Sequence, residues 1–99
     1  MIKKTKWIET QTLGECNFRH PMIVRADLID GKFEGLENQW VVSCPTLRVH
    51  SYSKKRKEAL ALLGEIILDN LKSYRDSAPD GNTEDANELL RLLEALIVE

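Results

Sequence analysis

A chain of 99 residues, 42% hydrophobic and 30% charged, is sized for one folded globular domain, and this composition excludes a disordered or fibrous protein. The net charge of −2 argues against a general affinity for DNA or RNA, because phosphate binding depends on a surplus of Lys and Arg. The longest apolar run is far shorter than the roughly 20 residues that a membrane span needs. We therefore expect a single soluble domain spanning residues 1–99.

The N-terminal segment and the cysteines indicate the cellular compartment. The basic start of the chain is followed by a segment that polar residues interrupt, which is not the pattern of a signal peptide. Cys16 and Cys44 are too few for a disulfide framework. We expect free thiols and a cytoplasmic protein that makes no membrane contact.

Alternating apolar and polar side chains in the first half of the chain predict β-strands. The segments are residues 23–29, 39–44 and 47–52, and residues 4–12 are a further candidate for an edge strand. Pro45 separates the second segment from the third, because proline cannot donate a hydrogen bond to a sheet. Gly31 and Gly35 bound a turn between the first two segments. The economical topology is a small antiparallel meander.

From residue 53 onward the apolar period changes to that of a helix. One stripe at three- and four-residue spacings consists of Ala59, Leu60, Leu63, Ile66, Ile67, Leu71 and Tyr74. Ala78 to Gly81 break the chain, and Asn82 or Thr83 can cap a second helix over residues 83–98. Its stripe consists of Ala86, Leu89, Leu90, Leu93, Leu96 and Ile97. The pattern predicts an α+β fold: a three- to four-stranded antiparallel sheet covered by one long helix, plus a C-terminal helix.

The segment from Trp40 to Ser53, followed by Lys57-Glu58-Ala59-Leu60, resembles the hairpin and helix entry of the HicB antitoxin family. In that family a strand ends in a proline-containing turn, a short strand follows, and a Glu-Ala-Leu helix begins. The resemblance covers residues 22–74. This chain has Cys44-Pro45-Thr46-Leu47 where the family has Pro-Asp-Leu-Pro-Gly-Cys, and Lys55 where the family has a Thr or Ser helix cap.

The resemblance implies a protein-binding role. HicB domains are sheets with one covering helix, related to the ribonuclease H fold without its catalytic carboxylates, and they silence HicA, a small toxin that cleaves messenger RNA. Many members add a C-terminal DNA-binding domain, whereas the residues after Tyr74 here have the pattern of one acidic helix. We therefore expect a non-enzymatic antitoxin-like module that needs no cofactor and does not bind operator DNA directly.

Two cysteines and two histidines raise the alternative of a zinc site. Thiolate and imidazole are suitable zinc ligands, and the candidates are Cys16, His20, Cys44 and His50. Their spacing departs from the common zinc frameworks, and along an extended strand residues 44 and 50 would lie about 20 Å apart. We therefore expect no metal, with Cys44 as a small buried side chain and His50 as a half-exposed strand residue.

Neither of two catalytic alternatives is well supported. Cys44 and His50 could approach each other across the Pro45 turn, but no glycine-rich oxyanion loop or orienting carboxylate accompanies them. The carboxylates that would suit a metal-dependent nuclease are Asp27, Asp30, Glu34 and Glu37. They are more simply explained as a solvated strand face and a polar loop. The sequence therefore predicts no catalytic residue.

Four consecutive cations, Lys54, Lys55, Arg56 and Lys57, precede or begin the long helix, where positive charge opposes the helix dipole. With Arg48, His50 and Tyr52 they form a candidate partner-binding set. An acidic protein surface or a phosphate backbone would suit it, and Tyr52 could stack on a base. The alternative function is therefore a nucleic-acid-associated domain. We expect these charges to act on the rate of association rather than on folding stability.

The leucines of the second helix predict self-association, most simply as a homodimer. The apolar positions of the sheet that could cover two helices are few, namely Val24, Ala26, Leu28, Trp40, Val42, Leu47 and Val49. We expect the interface to contain Leu89, Leu92, Leu93 and Leu96, on a helix that follows a Pro-Asp-Gly linker. An exposed strand edge offers a second route to pairing. Trp7 and Trp40 are expected to be core or interface anchors.

Overall fold

The computed structural model describes residues 2–31 and 38–99. The elements in chain order are β1 (Ile2–Leu13), β2 (Cys16–Ile29), β3 (Gln39–Cys44), β4 (Val49–Ser53), α1 (Arg56–Ser77), α2 (Glu84–Leu96) and β5 (Ile97–Val98). The antiparallel sheet has the order β1-β2-β3-β4, and β5 pairs with β2. The predicted α+β class is thereby confirmed. Among the described residues, no helix combines the length and the apolar character needed to cross a membrane.

A long hairpin of β1 and β2 opens the fold. Leu13 pairs with Cys16, and the two-residue turn between them includes Gly14, whose φ of 59° is a conformation that favours glycine. The first predicted strand therefore began too late, because β2 starts at Cys16 rather than at Ile23. The pairing of β1 with β2 shifts where Pro21 interrupts the ladder, and this irregularity hides the alternation in the sequence.

The third predicted strand is shorter than expected. Pro45 begins a short 3₁₀ helix, Pro45–Leu47, and Arg48 ends it with a left-handed φ of 56° before β4 begins. Leu47 and Ser51 are buried, while Arg48 is exposed. Most of the predicted turn over residues 31–35 lies outside the described residues.

The long helix α1 lies mainly over β3 and β4. Its predicted stripe faces the sheet, with Ala59, Leu63, Ile67 and Leu71 buried. Lys55 is the N-cap residue and makes no side-chain cap, so the four cations straddle the start of α1 rather than forming its first turn.

The C-terminal helix is shorter than the predicted 83–98. Thr83 caps α2, since its Oγ1 accepts a 3.1 Å hydrogen bond from the backbone N–H of Ala86. The helix ends at Leu96, and β5 pairs antiparallel with the first part of β2, Ile97 opposite Phe18. This extended end buries the Ile97 side chain in the core while its backbone joins the sheet.

One core joins the sheet to both helices. Its buried members are Leu13, Cys16, Phe18, Met22, Val24, Ala26, Val42, Cys44, Leu47, Ala59, Leu63, Ile67, Leu71, Leu90, Leu93 and Ile97. The sheet contributes more to the core than predicted, because the extended hairpin adds Leu13, Cys16, Phe18 and Met22. Most of both helical stripes is therefore covered within a single chain, although Leu89 and Leu96 remain partly exposed. The shortage of cover that motivated the predicted dimer is correspondingly smaller.

Candidate interaction surfaces

The helices cover one face of the sheet. The buried residues of the central strands point toward α1, as shown by Ser51, whose hydroxyl donates a hydrogen bond to the carbonyl oxygen of Ala59. Because side chains alternate along a strand, the intervening residues point to the other side, which none of the described helices covers. We call this side the open face. It includes Thr5, Trp7, Ile23, Arg25, Asp27, Val41, Ser43, His50 and Tyr52.

Strand register arranges the open face in two rows. Arg25 pairs with Trp7 on one side and Ser43 on the other, and Ser43 pairs with His50. The neighbouring row runs from Thr5 through Asp27 and Val41 to Tyr52. An aromatic side chain therefore lies on each edge strand of the sheet, with polar and charged groups between them.

A small network fixes the centre of the open face. The Arg25 guanidinium lies over the Trp7 ring, 5.7 Å from its centroid, and its Nε makes a 3.1 Å ion pair with Asp27. The Thr5 hydroxyl donates a 2.6 Å hydrogen bond to the same carboxylate. These contacts restrict the rotamers of Trp7 and Arg25 before any partner arrives.

The open face also exposes apolar area. Trp7 is 58% exposed, Tyr52 63% and Ile23 50%. Tyr52 belongs to the predicted partner-binding set, whereas Ile23 and the face that Trp7 occupies were missed from the sequence. The signal was present, since Trp7-Ile8 and Ile23-Val24 are adjacent apolar pairs, and neighbours on a strand point to opposite faces. One member of each pair had to lie on the second face.

The structure divides the predicted partner-binding set. His50 and Tyr52 lie together on the open face. Arg56 instead lies over the Trp40 ring, 5.5 Å from its centroid, and Trp40 belongs to the covered side of β3. Lys54, Lys55 and Lys57 lie at the junction of β4 and α1. Arg48 lies before β4 and faces α2.

A cleft of about 120 Å³ lies between Arg48 and α2. It is lined by Thr46, Arg48, Asp85, Glu88, Leu89 and Leu92. Leu89, Leu92 and Leu96 of the predicted dimer interface are partly exposed. Leu93 is buried in the core of the single chain, so it has little surface to offer a partner.

The zinc candidates do not converge. Cys16 and Cys44 are fully buried, whereas His20 and His50 are exposed. In residues 2–31 and 38–99 no three His, Cys, Asp or Glu side chains are grouped so that they could hold a metal ion. Asp27 is engaged by Arg25 and Thr5, and Asp30 also has a partner. Glu34 and Glu37 lie outside the described residues.

The two cysteines have the chemistry of core residues. Burial raises the pKa of the Cys16 thiol to about 11, and the neighbouring Cys44 adds to the shift. Burial also raises the pKa of Cys44, although hydrogen bonds from the backbone of Leu47 and Thr46 oppose the change. Both thiols are therefore protonated at neutral pH, the opposite of what a nucleophilic cysteine requires.

Charge is segregated along the chain. Residues 1–57, which contain the four long strands, hold eleven Lys and Arg against six Asp and Glu. Residues 58–99, which contain most of both helices, hold three against ten. The small net charge of −2 therefore conceals a basic sheet half and an acidic helical half.

No protein-family model, no curated protein and no solved structure matches this chain. On the open face, Trp7, Arg25 and Tyr52 are of the three residue types that dominate binding energy at protein interfaces. Ile23 and Val41 supply apolar area beside them.

Proposed function

We propose that this chain is a non-enzymatic, cytoplasmic protein-binding module of the HicB antitoxin type, and that its partner binds on the open face. The observation that carries the proposal is the exposure of Trp7 and Tyr52 on a sheet face that no described helix covers. Large amphipathic rings of this kind lose little conformational entropy on binding and bury much area.

The centre of the open face is organised in advance. Arg25 is held by Asp27 and by the Trp7 ring, so a partner that packs on Trp7 does not have to order that side chain. The ion pair with Asp27 also neutralises the charge of Arg25. A partner can therefore cover Arg25 without leaving an unpaired cation in the interface.

The partner class follows from the resemblance. The order β2, β3, proline turn, β4 and α1 is the order of elements in the HicB segment to which residues 22–74 are similar. HicB domains silence a small ribonuclease toxin of HicA type, so we propose a toxin of that class as the partner. The added β1 extends the sheet by one strand and brings Trp7 to its face.

The test combines this chain with the HicA-type toxin that the proposal requires in the neighbouring reading frame. Coexpression should restore the growth that the toxin arrests, and the purified proteins should form a stable complex. The double variant Trp7→Ala, Tyr52→Ala should lose both effects while it remains folded. The matched control is Leu62→Ala, which removes an exposed apolar side chain from α1 and should leave binding unchanged. Lack of rescue by the wild-type chain, or full rescue by the double variant, would contradict the proposal.

The basic sheet half favours a second candidate, binding of single-stranded nucleic acid. Lys54, Lys55 and Lys57 follow Tyr52 closely in the chain, and such a combination suits the binding of phosphates and a stacked base. A labelled single-stranded RNA of mixed sequence should then bind with an affinity that falls steeply with salt. The variant Lys55→Glu, Lys57→Glu should weaken binding, and Asp69→Asn on α1 should not. Absence of binding at low salt would exclude this candidate.

A further inference from the structure

The outer side of α2 carries both apolar and charged groups. Asp85, Glu88, Leu89 and Leu92 occur at three- and four-residue spacings and share one side of the helix. Leu90 and Leu93 point to the other side and are buried in the core. Leu92 also packs partly against that core, and both Leu89 and Leu92 keep part of their surface exposed.

Arg48 brings the opposite charge to the same place. Its left-handed backbone, unusual for a residue with a Cβ, is held by the hydrogen bond from its N–H to the carbonyl oxygen of Pro45. The side chain lines the cleft with Asp85 and Glu88. Within the described residues, no ion pair joins Arg48 to either carboxylate. The Arg48 guanidinium and the carboxylates of Asp85 and Glu88 therefore line one cleft without forming an ion pair with each other.

We propose that the cleft lined by Arg48, Asp85, Glu88, Leu89 and Leu92 is the centre of a two-fold interface with a second copy of this chain. A two-fold contact brings each patch against itself, so the patch must be complementary to itself. Here Leu89 and Leu92 meet their counterparts at the centre. Arg48 of each copy lies opposite the Asp85 and Glu88 carboxylates of the other.

The mixture of positive and negative charges in the cleft favours a second copy of this chain over other partners. A uniformly acidic partner would be repelled by Asp85 and Glu88, and a uniformly basic one by Arg48. A copy of the same surface presents both signs. This surface lies on α2 and the turn before β4, whereas the proposed partner site lies on the open face, so the two proposals stand independently.

The experiment measures the oligomeric state of the full chain by sedimentation velocity at tens of micromolar. The wild-type chain should sediment as a dimer. Arg48→Glu and the variant Asp85→Arg, Glu88→Arg should each be monomeric, and combining all three changes should restore the dimer. Unfolding temperatures measured in parallel confirm that each variant is folded.

Further variants keep the test decisive. Arg48→Gly removes the charge and suits the left-handed backbone, so it should be folded and monomeric even if Arg48→Glu folds poorly. Trp7→Ala, Tyr52→Ala should still form the dimer, which separates this interface from the open face. A monomeric wild type, a dimer that survives the single charge reversals, or the lack of restoration in the combined variant would each overturn the proposal.

Discussion

The backbone of α1 touches the end of β1 at Gly64 and Leu13. A Cβ atom added to Gly64 would lie 1.8 Å from the carbonyl oxygen of Leu13, closer than any real contact. Gly64 therefore lets the helix lie directly on the tip of the β1–β2 hairpin. Since this hairpin carries Trp7 and Arg25, the contact also helps to fix the open face relative to the helix.

Gly64→Ala should destabilise the protein. At an ordinary helical position this change stabilises by about 1 kcal/mol, because alanine is the better helix former. Here the added methyl group would force two backbones apart, and we expect a loss of about 1–3 kcal/mol in the free energy of unfolding. Urea denaturation of the variant and the wild type measures this loss. Ser73→Ala, at an exposed position of the same helix, is the control and should be neutral or slightly stabilising. A Gly64→Ala variant as stable as the wild type would contradict the contact.

The Thr83 cap should contribute measurably to the stability of α2. Thr83→Ala removes the acceptor of the Ala86 N–H and should lower the free energy of unfolding by about 1 kcal/mol. Thr83→Ser retains the hydroxyl and should lie close to the wild type. Equal losses in the two variants would show that the methyl group of Thr83, rather than its oxygen, is responsible.

The local periodicity of apolar residues was sufficient to predict the helices and strands that bury regularly spaced side chains. The stripe of α1 and the strand at residues 39–44 lie where the sequence placed them, because each buries a regularly repeating set of positions. The first part of β2 was missed because Arg19, His20 and Pro21 interrupt its alternation at the irregular pairing with β1. Likewise β5 is only two residues long, and it pairs with a part of β2 whose edge β3 does not reach.

The residues that share each candidate surface are set by the register of strand pairing, which could not be predicted from the sequence. Trp7 and Tyr52 were visible as aromatic residues, but only the pairing of β1 with β2 and of β3 with β4 places both on one face. Arg48 and Leu89 were assigned to separate surfaces, and the structure brings them to one cleft. That contact joins segments some 40 residues apart in the chain, beyond the reach of local pattern.

The buried thiols should make stability depend on alkaline pH. The folded pKa of Cys16 is about 11, above the ordinary value of 9.0, because burial favours the neutral thiol. A raised pKa of this kind stabilises the fold below the unfolded pKa, and the stabilisation is lost as pH rises toward the folded pKa. The free energy of unfolding should therefore fall between pH 9 and pH 11. Urea denaturation under reducing conditions measures this fall.

Lysine titration adds its own pH dependence, so the Cys16 contribution needs a matched variant. Cys16→Ala lacks the thiol but keeps every other titrating group, and it should lose less stability than the wild type over the same pH interval. Its absolute stability will be lower because a buried sulfur is removed. Only the two slopes are compared, and identical slopes would rule out the Cys16 contribution.

The four consecutive cations should differ in their effect on stability, contrary to the uniform behaviour that the sequence indicated. Arg56 lies over the Trp40 ring and is partly buried, whereas Lys57 is exposed. Removing a positive charge near a helix N-terminus relieves an unfavourable dipole interaction, so Lys57→Gln should be neutral or slightly stabilising. Arg56→Gln relieves the same interaction but loses the cation–π contact, and it should lower the free energy of unfolding by about 0.5–1 kcal/mol. Thermal denaturation of the two variants provides the comparison. If Arg56→Gln is as stable as Lys57→Gln, the contact with Trp40 does not contribute to folding, and Arg56 belongs with the surface lysines.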